Sequence, residues 1–175
     1  MKKYIIITLS LIIVLLSCGS EKKKPIYADL GESTEETLYV QNSGDEIVVP
    51  FRNENGVKYV AVTVNGVGLE MIFDTGCSGA LISVAEANYL YQKGKLTQDD
   101  ILGTAQSQIA DGSVVENMLV NLEEVVINDQ IRCPNVKATV SANINAPLLL
   151  GNEILDRLAT ITIDNENETL NFKLK

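Results

Sequence analysis

One stretch constrains this chain more than any other. Residues 69–83 read Leu-Glu-Met-Ile-Phe-Asp-Thr-Gly-Cys-Ser-Gly-Ala-Leu-Ile-Ser. An apolar run delivers Asp74 into a tight turn through Thr75, Gly76, Cys77, Ser78 and Gly79, and a second apolar run leaves at once. The pattern predicts strand, sharp loop, strand. A carboxylate at a strand tip, walled by apolar residues, has two readings. It is either a turn aspartate satisfying nearby amides or a reactive group on a rigid mount. The stretch alone leaves both open.

The rest of the chain narrows the choice by exclusion. There is no His among the 175 residues. That removes Ser-His-Asp and Cys-His nucleophile schemes and the common mixed His/Cys zinc sites. A formal net charge of -9 and the lack of Trp leave little for a phosphate backbone or stacked bases to bind. No nucleic-acid partner is expected. The length fits one ordinary domain plus accessories.

The first residues have a targeting layout. Lys2 and Lys3 precede an apolar run over 4–16, too short for an ordinary membrane span. A short membrane anchor is the alternative to a cleaved signal. Leu15-Leu16-Ser17-Cys18 resembles the lipobox of bacterial lipoproteins. The resemblance implies a signal peptide over 1–17, acylation of Cys18 and an acidic tether over 18–44. The remaining domain, 45–175, would then be lipid-anchored at the bacterial cell envelope. By the same analogy, Gly19 stands where inner-membrane retention usually has Asp, which favours the outer membrane if the source is Gram-negative. A stray strand near 37–40 is conceivable, but plain linker is preferred. Cys77 and Cys133 are too few for a metal site. They are either small buried hydrophobes or, in an exported protein, a disulfide.

From 46 onward the pattern is dominated by strands. Segment 46–51 is a strand whose Pro50 marks an edge or bulge. Segment 57–64 alternates, with Val60, Val62 and Val64 on one face, and Asn65-Gly66 is a strong hairpin signal back into 68–73. After a short strand at 80–82, Ser83 and Glu86 have capping-box spacing for a helix ending before Gly94. A hairpin turns at Asp111-Gly112 between 101–109 and 113–119. Strands at 120–127, 131–140 and 147–151 follow, then helical turns over 152–158. A last hairpin joins 159–164 to 169–174. Turn signals recur as in a closed all-β domain with one or two short helices.

Asp74-Thr75-Gly76 between apolar runs, the hairpin at Asp111-Gly112 and the late Leu149-Leu150-Gly151 together resemble the retroviral-type (retropepsin-like) aspartic protease family. The resemblance covers nearly the whole domain. It implies a single-lobe closed β-barrel, Asp74 as the catalytic aspartate and Thr75 and Gly76 as its loop partners. Ser78 would support the outer carboxylate oxygen, and Cys77 replaces the usual Ala. Asp111 and Gly112 match the tip of a flap, and Leu149, Leu150 and Gly151 the element packed beneath the loop. Such enzymes need two carboxylates sharing a proton, and this chain has one Asp-Thr-Gly. The resemblance therefore implies a homodimer, a peptide or protein substrate and no metal or other cofactor. The alternative is a catalytically inactive peptide-binding module of the same fold.

Overall fold

The computed structural model describes residues 39–40, 46–108 and 111–175. The expected signal peptide over 1–17, Cys18 and most of the expected tether lie outside the described residues. Among the described residues, twelve strands form in chain order: β1 (Tyr39–Val40), β2 (Ile47–Pro50), β3 (Arg52–Glu54), β4 (Val57–Val64), β5 (Val67–Phe73), β6 (Ala80–Ser83), β7 (Ile101–Gln108), β8 (Val114–Ile127), β9 (Ile131–Ser141), β10 (Leu149–Leu150), β11 (Leu158–Asp164) and β12 (Thr169–Leu174). Helix α1 (Val84–Gln92) follows β6, and α2 (Asn152–Leu155) follows β10. A 3-10 turn at Gln98–Asp100 leads into β7.

The strands divide between two sheets, which corrects the expectation of one closed all-β barrel. The larger sheet has nine strands in the order β1-β9-β6-β10-β5-β4-β8-β7, with β3 added on β4 and a direct β8–β9 pairing. It folds back through that pairing, yet among the described residues β1, β3 and β7 keep free edges and the sheet is not closed into a barrel. A separate three-stranded sheet runs β11-β12-β2. With two short helices packed on strands, the result is a mixed α/β fold. The physical reason is competition for partners. The C-terminal hairpin takes β2 rather than joining the larger sheet, and the chain crosses between sheets at buried Phe51.

Several local expectations hold. Val60, Val62 and Val64 all point inward while Ala61 is exposed. Pro50 lies on β2, an edge of the small sheet, where its missing N–H costs no central ladder bond. The Ser83 hydroxyl caps α1 by accepting from Ala85 N–H at 3.0 Å, and Glu86 accepts from the Ser83 N–H at 3.2 Å. Others shift. Tyr39 and Val40 pair with Arg132 and Ile131, where linker was preferred. β8 is one strand of 14 residues instead of two, because Leu119 and Val120 are buried where both β7 and β9 pair with it, so alternation fails there. β10 keeps only two residues, with Gly151 already capping α2. The pairing of β7 with β8 shifts between Ile101 and Gly103, and Gly103 adopts a φ of 123° that few other residues accept.

The hairpin that carries Asp74 is fixed at its turn. Asn65 and Gly66 have φ of 49° and 80°, the signature of a primed turn. Asn65 is buried and bridges three segments. Its N–H donates to the Glu124 carbonyl at 2.8 Å, its Oδ1 accepts from the Glu124 N–H at 3.1 Å, and its Nδ2 donates to the Lys95 carbonyl. Asn65→Ala removes both side-chain bonds at a positive φ. It is expected to lower stability by about 3 kcal/mol, read as a fall in the denaturant midpoint at unchanged slope. A shift below a third of that would show that the clamp is not needed.

Candidate active site

β5 ends at Phe73, and the next residue is Asp74. The register explains why this end is rigid. β4 and β5 pair without a break from Val64 opposite Val67 to Tyr59 opposite Ile72. β10 then pairs in parallel with Ile72 and Phe73 and in antiparallel with Leu81 of β6. The two strands that flank the loop are thus bridged by Leu149 and Leu150. The Ile72 N–H donates to the Leu148 carbonyl at 2.8 Å and the Asp74 N–H to the Leu150 carbonyl at 3.1 Å.

Within the loop, the Gly76 N–H donates to Asp74 Oδ1 at 2.8 Å, and the Cys77 N–H to the Asp74 carbonyl at 3.3 Å. A Cβ at Gly76 would sit 3.2 Å from Asp74 Oδ1, so glycine lets the amide reach the carboxylate without crowding it. Asp74 and Cys77 are half-buried, while Thr75, Gly76 and Ser78 are exposed. Among the described residues, the carboxylate accepts its hydrogen bond from the Gly76 N–H and not from Ser78.

Gly151 packs beneath the loop. A Cβ there would lie 2.0 Å from the Gly79 carbonyl oxygen and 2.6 Å from that of Cys77. Its backbone thus opens α2 directly under the loop. Asn152, the first residue of α2, donates its N–H to the Cys77 carbonyl at 2.9 Å and its Nδ2 to the Thr75 carbonyl at 3.2 Å. The role of that side chain is not apparent from the sequence beyond the fact that Asn follows the Leu-Leu-Gly element.

The structure brings Asp74, Thr75, Gly76, Ser78, Leu149, Leu150 and Gly151 into one assembly. Asp111 and Gly112 lie apart, at the tip of the β7–β8 hairpin. There the Ser113 N–H donates to Asp111 Oδ1 at 2.8 Å, and Gln108 Nε2 to the Gly112 carbonyl at 3.2 Å. Ser113, through side chain and amide, holds the Asp111 carboxyl below its ordinary value of 3.8. The carboxylate form therefore persists through mildly acidic pH, and its hold on the tip is lost only as pH falls through that lowered value.

Cys77 and Cys133 are not joined in a disulfide, so that alternative is not realised. Burial pushes the Cys77 thiol above its ordinary value, against a hydrogen bond with the Gly79 backbone and with Asp74 adding a further rise. It therefore stays protonated near neutral pH and is a poor nucleophile. Among the described residues, no group of three or more His, Cys, Asp or Glu is placed to hold a metal ion. A cavity of about 500 Å3 lies on the β4–β5 hairpin, lined by Thr63, Gly68, Glu70 and Asp129 among others, with none of the Asp74 loop in its wall.

Residues 60–157 match the family described as "gag-polyprotein putative aspartyl protease". Among solved structures, the chain is similar to a retropepsin-like aspartic protease from Rickettsia conorii. The TM-score is 0.52 at 23% identity, covering 81% of this chain and 97% of the other, which shows a shared fold. No curated protein matches the chain.

The close approach at position 151 has a measurable consequence. Gly151→Ala forces backbone against backbone, with no flexible side chain to give way. The substitution is expected to destabilise the chain by about 3 kcal/mol, checked by thermal unfolding. A melting point equal to that of the parent chain would contradict the geometry.

Proposed function

Because the chain belongs to the gag-polyprotein aspartyl protease family, we propose that it is an aspartic endopeptidase whose active site is completed by a second copy of itself. The observation that carries this reading is the mounting of Asp74. Its carboxylate ends a strand, accepts the Gly76 amide at 2.8 Å and is framed by β10 and α2 from below. A structural turn aspartate needs no such frame.

Two Asp74 side chains meeting at a two-fold axis would form an isologous site. Like carboxylates a few ångströms apart cannot both ionise, so the pair holds one proton and titrates as a unit. The ionised member takes a proton from a bound water. That water attacks the scissile carbonyl, while the protonated member donates to the carbonyl oxygen. Collapse of the tetrahedral adduct, with proton transfer to the amine, breaks the C–N bond. Atoms and charge balance without a metal or covalent intermediate.

Two features support pairing and substrate capture. β11 is an edge of the small sheet, and its residues Ala159, Thr160, Ile161, Thr162 and Ile163 carry no charge to discourage a second chain. The β7–β8 hairpin has small or polar residues on one half-buried face, Ala105, Ser107, Val115 and Asn117, suited to an extended peptide main chain. The proposed address is the bacterial cell envelope, with domain 45–175 held by a tether from acylated Cys18, on the outer membrane.

Cleavage of an unfolded polypeptide at mildly acidic pH is the direct test. Asp74→Asn should slow it by on the order of a thousandfold or more, and the active species should have twice the mass of one chain. Equal cleavage by parent and variant would remove Asp74 from the chemistry. Peptide binding by both forms without any cleavage would favour the inactive module. The anchor is tested separately. Cys18→Ser should abolish incorporation of labelled palmitate and release the chain from membranes, and a variant still labelled would refute acylation there.

A further inference from the structure

We propose that Arg157 is a positioning residue for the Asp74 loop, a role that rests on reading that loop as catalytic. The argument starts from the shortness of α2. Four residues make about one turn, which has little stability of its own. Yet its first residue supplies both hydrogen bonds that tie the loop to α2, from Asn152 N–H to the Cys77 carbonyl and from Nδ2 to the Thr75 carbonyl. A turn that fixes something else must itself be fixed.

Arg157, two residues beyond α2, does this. Its side chain is 10% exposed. Nε donates to the Glu153 carbonyl at 3.1 Å, and Nη2 contacts Glu153 Oε1 at 3.1 Å, so the guanidinium grips α2 itself. The other face of the fork reaches β9. Nη1 donates to the Pro134 carbonyl and Nη2 to the Asn135 carbonyl at 3.1 Å. Asn135 has a φ of 51°, and the β8–β9 register passes from Pro134 to Val136 without it. That irregularity turns two strand carbonyls toward the arginine.

The tie closes a circuit around the loop. β9 continues into Ala138, Thr139, Val140 and Ser141, which pair in parallel with β6, the strand leaving the loop. Arg157 thus joins the turn beneath Asp74 to the strand that backs the loop's exit. A planar fork with donors in several directions is required, and a lysine ammonium on a flexible stem cannot reproduce it. Loss of the fork lets α2 rotate, frees the Thr75 and Cys77 carbonyls and widens the range of positions open to the carboxylate.

Amide hydrogen exchange on the full chain tests this without needing turnover. Arg157→Lys should speed exchange at Asp74, Cys77 and Asn152 by about tenfold beyond any change at core amides such as Val60, the scale of lost charge-assisted hydrogen bonds. Asn65→Ala, destabilised elsewhere, should leave the loop amides tracking the core. In the cleavage assay, Arg157→Lys should lower kcat by about tenfold with KM within about twofold, as for a group misplaced after binding. Loop amides that track the core in Arg157→Lys would overturn the proposal, as would a rise in KM at unchanged kcat. If the parent chain cleaves nothing, the catalytic reading fails while the exchange result still decides the clamp. If Arg157→Lys does not fold, Glu153→Gln decides. Faster exchange at the same amides supports the clamp, and unchanged exchange overturns it.

Discussion

The backbone of Gly151 passes so close beneath the Asp74 loop that a single methyl group would collide with two carbonyl oxygens. Much of the site follows from that contact. It lets β10 slot between β5 and β6, parallel to one and antiparallel to the other. It starts α2 at the one place from which Asn152 reaches back to Thr75 and Cys77. The loop is therefore held by main-chain geometry more than by its own side chains. This explains how a half-buried carboxylate stays in place in a loop whose Thr75, Gly76 and Ser78 are exposed.

The division into two sheets separates two tasks. The larger sheet builds the loop and its supports, with Val60, Met71, Ile82, Leu122 and Leu150 fully buried. Each such side chain contributes about 1.5–3 kcal/mol of burial. The smaller sheet gathers β2 with the C-terminal hairpin and leaves β11 uncovered. The other edge, β2, is less open. Pro50 cannot donate, and the Val48 carbonyl accepts from Gln130 Nε2 at 3.2 Å.

The parts of this structure that were legible in the sequence are those set by neighbours in the chain. Asn65-Gly66, the alternating valines of β4 and the Ser83–Glu86 capping box each act over a few residues, and each forms as the sequence predicts. Closure of the sheet did not follow, because it depends on which distant strand wins each edge, and turn spacing says nothing about that. β8 reads in the sequence as two strands because residues covered on both faces lose the alternation that marks a strand. In the site, the loop around Asp74 was readable from composition and order. Arg157 was not. Its partners Pro134 and Asn135 lie more than twenty residues away, and only an irregularity in β9 makes their carbonyls available.

The shifted pairing at Gly103 has a mechanical consequence for the hairpin above it. Beyond that point β7 and β8 are stitched together by their ladder and by side chains, with Thr104 Oγ1 donating to Glu116 Oε1 at 2.7 Å and Gln108 reaching Gly112. Stiffness is therefore uneven along the hairpin, and bending is cheapest where the ladder slips and a glycine stands. From Gly103 to Gln108 the strand rises roughly 17 Å, paired with β8 along that length. A hairpin built this way is stiff along its ladder and weakest at its base, where the register slips beside Gly103.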